Sequence, residues 1–172
     1  MPGCKIDRDS SPDFKKLIDS YRQGYPHIES DLSDAFSEIE KNILANRGRR
    51  VFGGQQFDIY KYRQNSKDIK RGARYGWRIY CLLDRLSGIM YPIITYPKTI
   101  FDDADTKTIK DAVANIKLLL GQCTRSECDG ALEPSYPQEI ASIGGVPHIK
   151  LRCCKCRTCA WREEPLSLPA TT

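Results

Sequence analysis

The stretch FDIYKYRQNSKDIKRGARYGWRIYCLLDRLSGIMYPIITYPK, residues 57–98, decides how this chain folds and what it can meet. Phe57, Ile59, Lys61 and Arg63 alternate with Tyr60 and Tyr62, the period of two that sends neighbouring side chains to opposite faces of a strand. Lys61 and Arg63 therefore project from one side. A second run, Trp77 to Leu83, follows Gly76 and ends at the turn residues Asp84-Arg85-Leu86-Ser87-Gly88, which lead straight into a third, Ile89 to Tyr96. Two such runs joined by a short polar turn predict an antiparallel hairpin. Pro92 has no N–H for a ladder, so a bulge or an unpaired position is expected beside it.

Charge concentrates in the same region. From Arg47 to Lys98 the cations are Arg47, Arg49, Arg50, Lys61, Arg63, Lys67, Lys70, Arg71, Arg74, Arg78, Arg85 and Lys98, against Asp58, Asp68 and Asp84 alone. The segment carries +9 in a chain of net +5, so the remainder carries −4. Ordinary surfaces intersperse both signs, and this asymmetry predicts a polyanionic partner. Tyrosines and Trp77 among the cations suit the stacking of single-stranded bases. Lys67, Lys70, Arg71 and Arg74 are the expected RNA-binding cations of the connecting loop.

Outward from this core the pattern turns helical. Cys4 to Arg8 reads as a short strand, and Ser10 or Ser11 can cap a helix with Pro12 at its first position and Asp13 in its first turn. Phe14, Leu17, Ile18 and Tyr21 keep helical spacing until Gly24 and Pro26. A second helix from Ile28 places Leu32, Ala35, Phe36, Ile39, Ile43 and Leu44 inward, with Glu29, Asp31, Asp34, Glu38 and Glu40 on a solvated back, and Gly48 at its end. Ile109, Ala112, Val113, Ile116, Leu119 and Leu120 make the apolar stripe of a third. Gly121 closes a first domain, residues 1–121, of class α+β: a small, mainly antiparallel sheet packed with helices.

The order of strand, two helices, three strands and helix, filled with these residues, resembles the RelE/ParE toxin superfamily, in its RelE/HigB-like branch, over about Cys4 to Leu120. Residues 57–80 and MYPIITYPK (90–98) look like that family's second to fourth strands, and PHIESDLSDAF (26–36) like its second-helix entry. The resemblance implies the toxin of a toxin–antitoxin pair: a metal-independent endoribonuclease, or mRNA interferase, that cleaves mRNA in a basic sheet cleft, often within a ribosome, and is held by an antitoxin. It implies Lys61 and Arg63 on the second strand, Arg78 on the third, and Tyr96 and Lys98 at the end of the fourth as catalytic residues. Lys61 or Lys98 would then move protons while Arg63 and Arg78 hold the phosphate. Where the family's developed sites carry an arginine and then a tyrosine, this chain has Thr99 and Ile100-Phe101-Asp102-Asp103. A non-catalytic RNA- or ribosome-binding module of the same fold is the alternative. His27 and His148 both lie outside the basic stretch, which argues against a histidine-pair ribonuclease.

The tail, residues 122–172, changes character. Cys123-x4-Cys128, a hairpin-length insert, then Cys153, Cys154, Cys156 and Cys159 are spaced for one structural zinc in a zinc-ribbon-like domain. The second pair is open between Cys153/Cys156 and Cys156/Cys159; Trp161 close behind favours the latter, making the expected ligands Cys123, Cys128, Cys156 and Cys159. Gly144-Gly145 is the expected turn between arms 139–143 and 146–152. Cys4 and Cys81 read as packing residues. Nothing at the start resembles a secretory signal and no apolar run has membrane-spanning length, so a cytoplasmic, reducing home is expected, with no membrane partner.

Overall fold

The computed structural model describes residues 4–54, 56–125, 128, 130–135, 138–144 and 146–163. Two compact units divide the chain between Ile116 and Lys117. In the first, β1 (Lys5–Ile6), α1 (Pro12–Arg22), α2 (Ile28–Lys41), β2 (Arg49–Gly53), β3 (Phe57–Gln64), β4 (Trp77–Asp84) and β5 (Ile89–Pro97) precede α3 (Thr106–Leu119), whose last turn crosses into the second. The sheet order is β1-β5-β4-β3-β2. β1 runs parallel to β5 and every other pairing is antiparallel.

The predicted hairpin is present. Its ladder shifts register where Tyr80 faces Ile94 and Cys81 faces Pro92, which leaves Ile93 bulged next to the residue that cannot donate. Pro12 starts α1 after Ser11, but the Ser11 side chain makes no capping bond; the turn before it is held by Asp7 Oδ1, which accepts Asp9 N–H at 2.9 Å and Ser10 N–H at 3.0 Å.

α2 stops earlier than Gly48. Asn42 leaves the helix in extended conformation and its Oδ1 accepts the Leu44 N–H at 3.0 Å, the local side-chain competition that makes asparagine a poor helix interior residue. Leu44 is consequently exposed, and Leu119 at the end of α3 is exposed too, whereas Ile43, Ile109, Val113 and Ile116 are buried as expected.

One core joins α1 and α2 to one face of the sheet: Phe14, Ile28, Leu32, Ala35, Phe36 and Ile39 meet Tyr60, Tyr62, Trp77, Ile79, Cys81 and Met90. Trp77 is its centre, wholly buried, with Tyr25 edge-on at 5.1 Å and Tyr21 at 5.9 Å. Its indole N–H donates to Asp31 Oδ2 at 3.0 Å. Asp31 is therefore a buried core acceptor, not part of the solvated back of α2, because the sheet carries a donor that must be satisfied there.

In the second unit β8 (Val146–Cys153) is central. β9 (Cys159–Glu163) pairs along one edge, while β6 (Leu132–Pro134) and β7 (Ile140–Ile143) share the other. Ile143 faces Val146 across the predicted hairpin turn, in which Gly144 is left-handed and Gly145 lies outside the described residues.

Candidate functional site

Pairing register builds a cationic face opposite the helical core. Arg63 faces Arg78, and Arg78 faces Tyr96, across three adjacent strands; one row on, Lys61 faces Tyr80, which faces Ile94. Lys61, Arg63, Arg78 and Tyr96 thus converge on one face of the sheet. Lys98 follows β5, its N–H bonded to Gly76 O at 3.0 Å.

Arg78 is a buried residue of this face. It is 3% exposed, and its guanidinium donates to Ala73 O at 3.1 Å and Arg74 O at 2.7 Å, pinning the end of the basic loop. Burial, and then the neighbouring charge of Arg63, holds its pKa below the ordinary arginine value.

The two lysines of the face are engaged by consecutive acids. Lys61 Nζ lies 2.6 Å from both carboxylate oxygens of Asp103. Tyr80 OH donates to the same carboxylate, Tyr96 OH does so at 3.1 Å, and Ala104 N–H completes the cradle at 3.1 Å. Lys98 Nζ pairs with Asp102. Burial pushes the Asp103 pKa up, but the bonds from Lys61 and Tyr80 outweigh it and bring it down to about 2. Burial raises the Tyr96 phenol to about 12 and takes Tyr80 higher still, so both are donors rather than bases near neutrality. Sequence reasoning saw Asp102 and Asp103 only as a departure from a pattern, and it missed Tyr80. Their one signal was the acidic pair lying close behind Lys98.

In the loop, Lys67 Nζ is paired with Asp34 at 3.0 Å and its N–H donates to Asp31 at 3.1 Å. Arg74 lies 5.8 Å over the Tyr75 ring. Arg50 and Arg85 share the buried Asp58. Among the described residues Arg47, Arg49, Arg63, Lys70, Arg71 and Arg74 make no ion pair, so the basic face retains a net positive edge. The aromatics expected to stack on bases are mostly interior: Tyr60, Tyr62, Trp77, Tyr80, Tyr91 and Tyr96 are buried, and Tyr75 alone of that stretch is exposed. His27, distant in sequence, is brought to the basic loop, its Nδ1 2.6 Å from Asp68 Oδ1.

In the second unit, Cys123, Cys128, Cys153 and Cys156 put their sulfurs within 4.8 Å of one another. Cys153 stands where Cys159 was expected. Cys159 begins β9, exposed, with Arg157 O at 3.9 Å beside its sulfur. The turn 153–156 aims Cys153 and Cys156 inward and leaves Cys154 exposed: Cys156 N–H donates to Cys153 Sγ at 3.4 Å, and Arg157 closes the turn in the left-handed region at φ 61°. Gly130 N–H donates to Cys128 Sγ at 3.4 Å, and a Cβ on Gly130 would meet Cys153 Sγ at 2.5 Å. The Thr158 hydroxyl and backbone N–H hold the Cys156 thiol below its ordinary pKa.

No protein-family model, curated protein or solved structure matches the chain. A tetrahedral ion with metal–sulfur bonds of about 2.3 Å needs sulfurs roughly 3.8 Å apart, and the pairs Cys123–Cys156 and Cys128–Cys153 stand at 3.5 and 3.6 Å. Four cysteine sulfurs this close fit a single metal ion. Among the described residues no helix is long and apolar enough to cross a membrane.

Proposed function

We propose that the first unit is a RelE-like toxin domain that binds mRNA on its basic strand face and cleaves it, inside the cytoplasm and within or beside the ribosome, until a cognate antitoxin covers it. The observation that carries this reading is the in-register row Arg63–Arg78–Tyr96 with Lys61 and Tyr80 in the next row. Such a face offers several donors to one phosphodiester. Cleavage would join the ribose 2′-oxygen to phosphorus and release the 5′-oxygen, leaving a 2′,3′-cyclic phosphate. The 2′-hydroxyl proton goes to a base, the departing 5′-oxygen receives one, and cations offset charge on the phosphoryl oxygens. Arg63 and Arg78 suit the last task, Lys61 or Lys98 proton transfer, and Tyr96 donation.

The second unit is proposed to be a zinc ribbon with one structural zinc on Cys123, Cys128, Cys153 and Cys156. Four thiolates close the coordination shell and leave no open position for substrate.

A specific observation favours a second reading, a non-catalytic RNA- or ribosome-binding module: Lys61 and Lys98 are both ion-paired and Arg78 is spent on backbone carbonyls. The deciding experiment adds purified full-length chain to a translating ribosome system and maps message ends. Cleavage that Arg63→Ala slows on the order of 10²-fold supports the enzyme. Salt-sensitive RNA binding without any cleavage leaves the binding module.

A further inference from the structure

We propose that Lys61, Tyr80 and Tyr96 form an anion subsite shaped for a phosphate, and that the Asp103 carboxylate is its resident occupant in the free protein, carried by a strap, residues 99–105, that RNA must displace. This rests on the RNA reading above and adds to it a built-in competitor for the same donors.

The donors and the acceptor differ in kind. Lys61, Tyr80 and Tyr96 are 6%, 2% and 3% exposed and stand on three hydrogen-bonded strands, β3, β4 and β5. The Tyr80 and Tyr96 rings stack at 6.3 Å with 25° between planes, and Lys61 Nζ sits 5.4 Å from the Tyr80 centroid, so the three polar ends are aimed together. Asp103 belongs to an irregular segment between β5 and α3, and its side chain is 54% exposed. Ile100 and Phe101 of the same segment are exposed apolar residues; Phe101 meets Tyr96 edge-on at 6.1 Å, the Ile100 N–H donates to Pro97 O at 3.0 Å and the Ala104 N–H to Tyr96 OH at 2.8 Å. Buried donors fixed on paired strands, closed over by a half-exposed carboxylate from an irregular segment, are the arrangement of a binding site with a competitor in it.

Chemistry matches as well. A carboxylate presents two oxygens to Lys61 Nζ and the phenols, and a phosphodiester presents two non-bridging oxygens of the same charge. Exchanging one anion for the other never leaves Lys61 buried without a counter-charge, the state that would oppose opening. Asp102 repeats the device on Lys98. The acidic pair therefore silences, at once, the two lysines to which proton transfer is assigned, while Arg63 beside them stays free to make the first contact with RNA.

The test uses the full chain, a 2′-O-methyl oligoribonucleotide that cannot be cleaved, and inorganic phosphate. Asp102→Asn/Asp103→Asn should bind the oligonucleotide about tenfold more tightly than wild type near 0.1 M salt. Its plot of log affinity against log salt should stay close to the wild-type slope, because the same two lysines reach phosphate in both complexes once the strap is displaced. Asp102→Asn alone leaves the buried pair intact and should keep about half of the gain on a log scale, roughly threefold, which preserves the test if the double variant does not fold. Millimolar phosphate should raise the melting temperature of Asp103→Asn but not of wild type or of Lys61→Met/Asp103→Leu. Unchanged or weaker binding by both asparagine variants overturns the strap, and loss of cleavage without tighter binding makes Asp103 a working group of the reaction instead. If phosphate stabilises Asp103→Asn while no variant binds RNA, the subsite stands and the RNA reading falls.

Discussion

Asp31→Ala isolates a single buried carboxylate whose two partners come from different parts of the sheet side of the molecule. Its Oδ2 accepts the Trp77 indole N–H at 3.0 Å and the Lys67 backbone N–H at 3.1 Å. Trp77 is fully buried, so its N–H loses the one acceptor it has among the described residues in a place water does not reach. An orphaned buried donor costs about 1–3 kcal/mol, and a bond to a charged acceptor lies at the upper end. The Lys67 N–H is part-buried and recovers some of its loss from solvent, which puts the sum near 3 kcal/mol. Unfolding entropy of about 2.1 cal/mol/K per residue, over the 116 residues of Met1–Ile116, is roughly 0.24 kcal/mol/K, so the melting temperature of this unit should fall by about 12 °C. Asp31→Asn keeps one acceptor oxygen and should lose about a third as much. Calorimetry gives the shift, and near-ultraviolet circular dichroism reports whether Trp77 keeps its packing. An Asp31→Ala protein that melts within about 3 °C of wild type would refute the role assigned to this carboxylate. The same substitution unties the basic loop at Lys67, so RNA affinity should fall with stability.

Cysteine replacement separates the two candidate ligand sets: Cys153→Ser should purify with far less than one zinc per chain and lose the fold of the second unit, while Cys159→Ser should keep about one, as elemental analysis would show. Acid should weaken the strap in a narrow window. The Asp103 pKa is depressed in the folded state, so its contribution is present above the ordinary carboxylate value of about 3.9 and fades as pH falls from there through about 2. Urea midpoints of wild type and Asp103→Asn should therefore converge between pH 4 and pH 2, by a modest amount because the carboxylate is half exposed.

Local pattern and tertiary placement divided the information unevenly. Period-two alternation in residues 57–63, the hairpin with its bulge at Pro92, the helices from Pro12 and Ile28, and the inward face of Leu32, Ala35, Phe36 and Ile39 are all short-range properties, set by sterics and by the separation of apolar from polar positions. So was the clustering of cysteines that marks a metal-sized group in the tail. The sequence alone could not say which charges meet. Asp31 reads as one more acid on a helix back until the fold brings Trp77, 46 residues away, against it. Lys61 reads as a free strand cation until Asp103, 42 residues on, settles over it. Cys153 and Cys159 have equal spacing from Cys156, and the choice is made by the turn at 153–156, which points two sulfurs inward while β9 carries the third away along the edge of β8. Pattern is local because it follows backbone geometry, whereas a buried or paired charge is decided by the partner that the packed chain supplies across tens of residues.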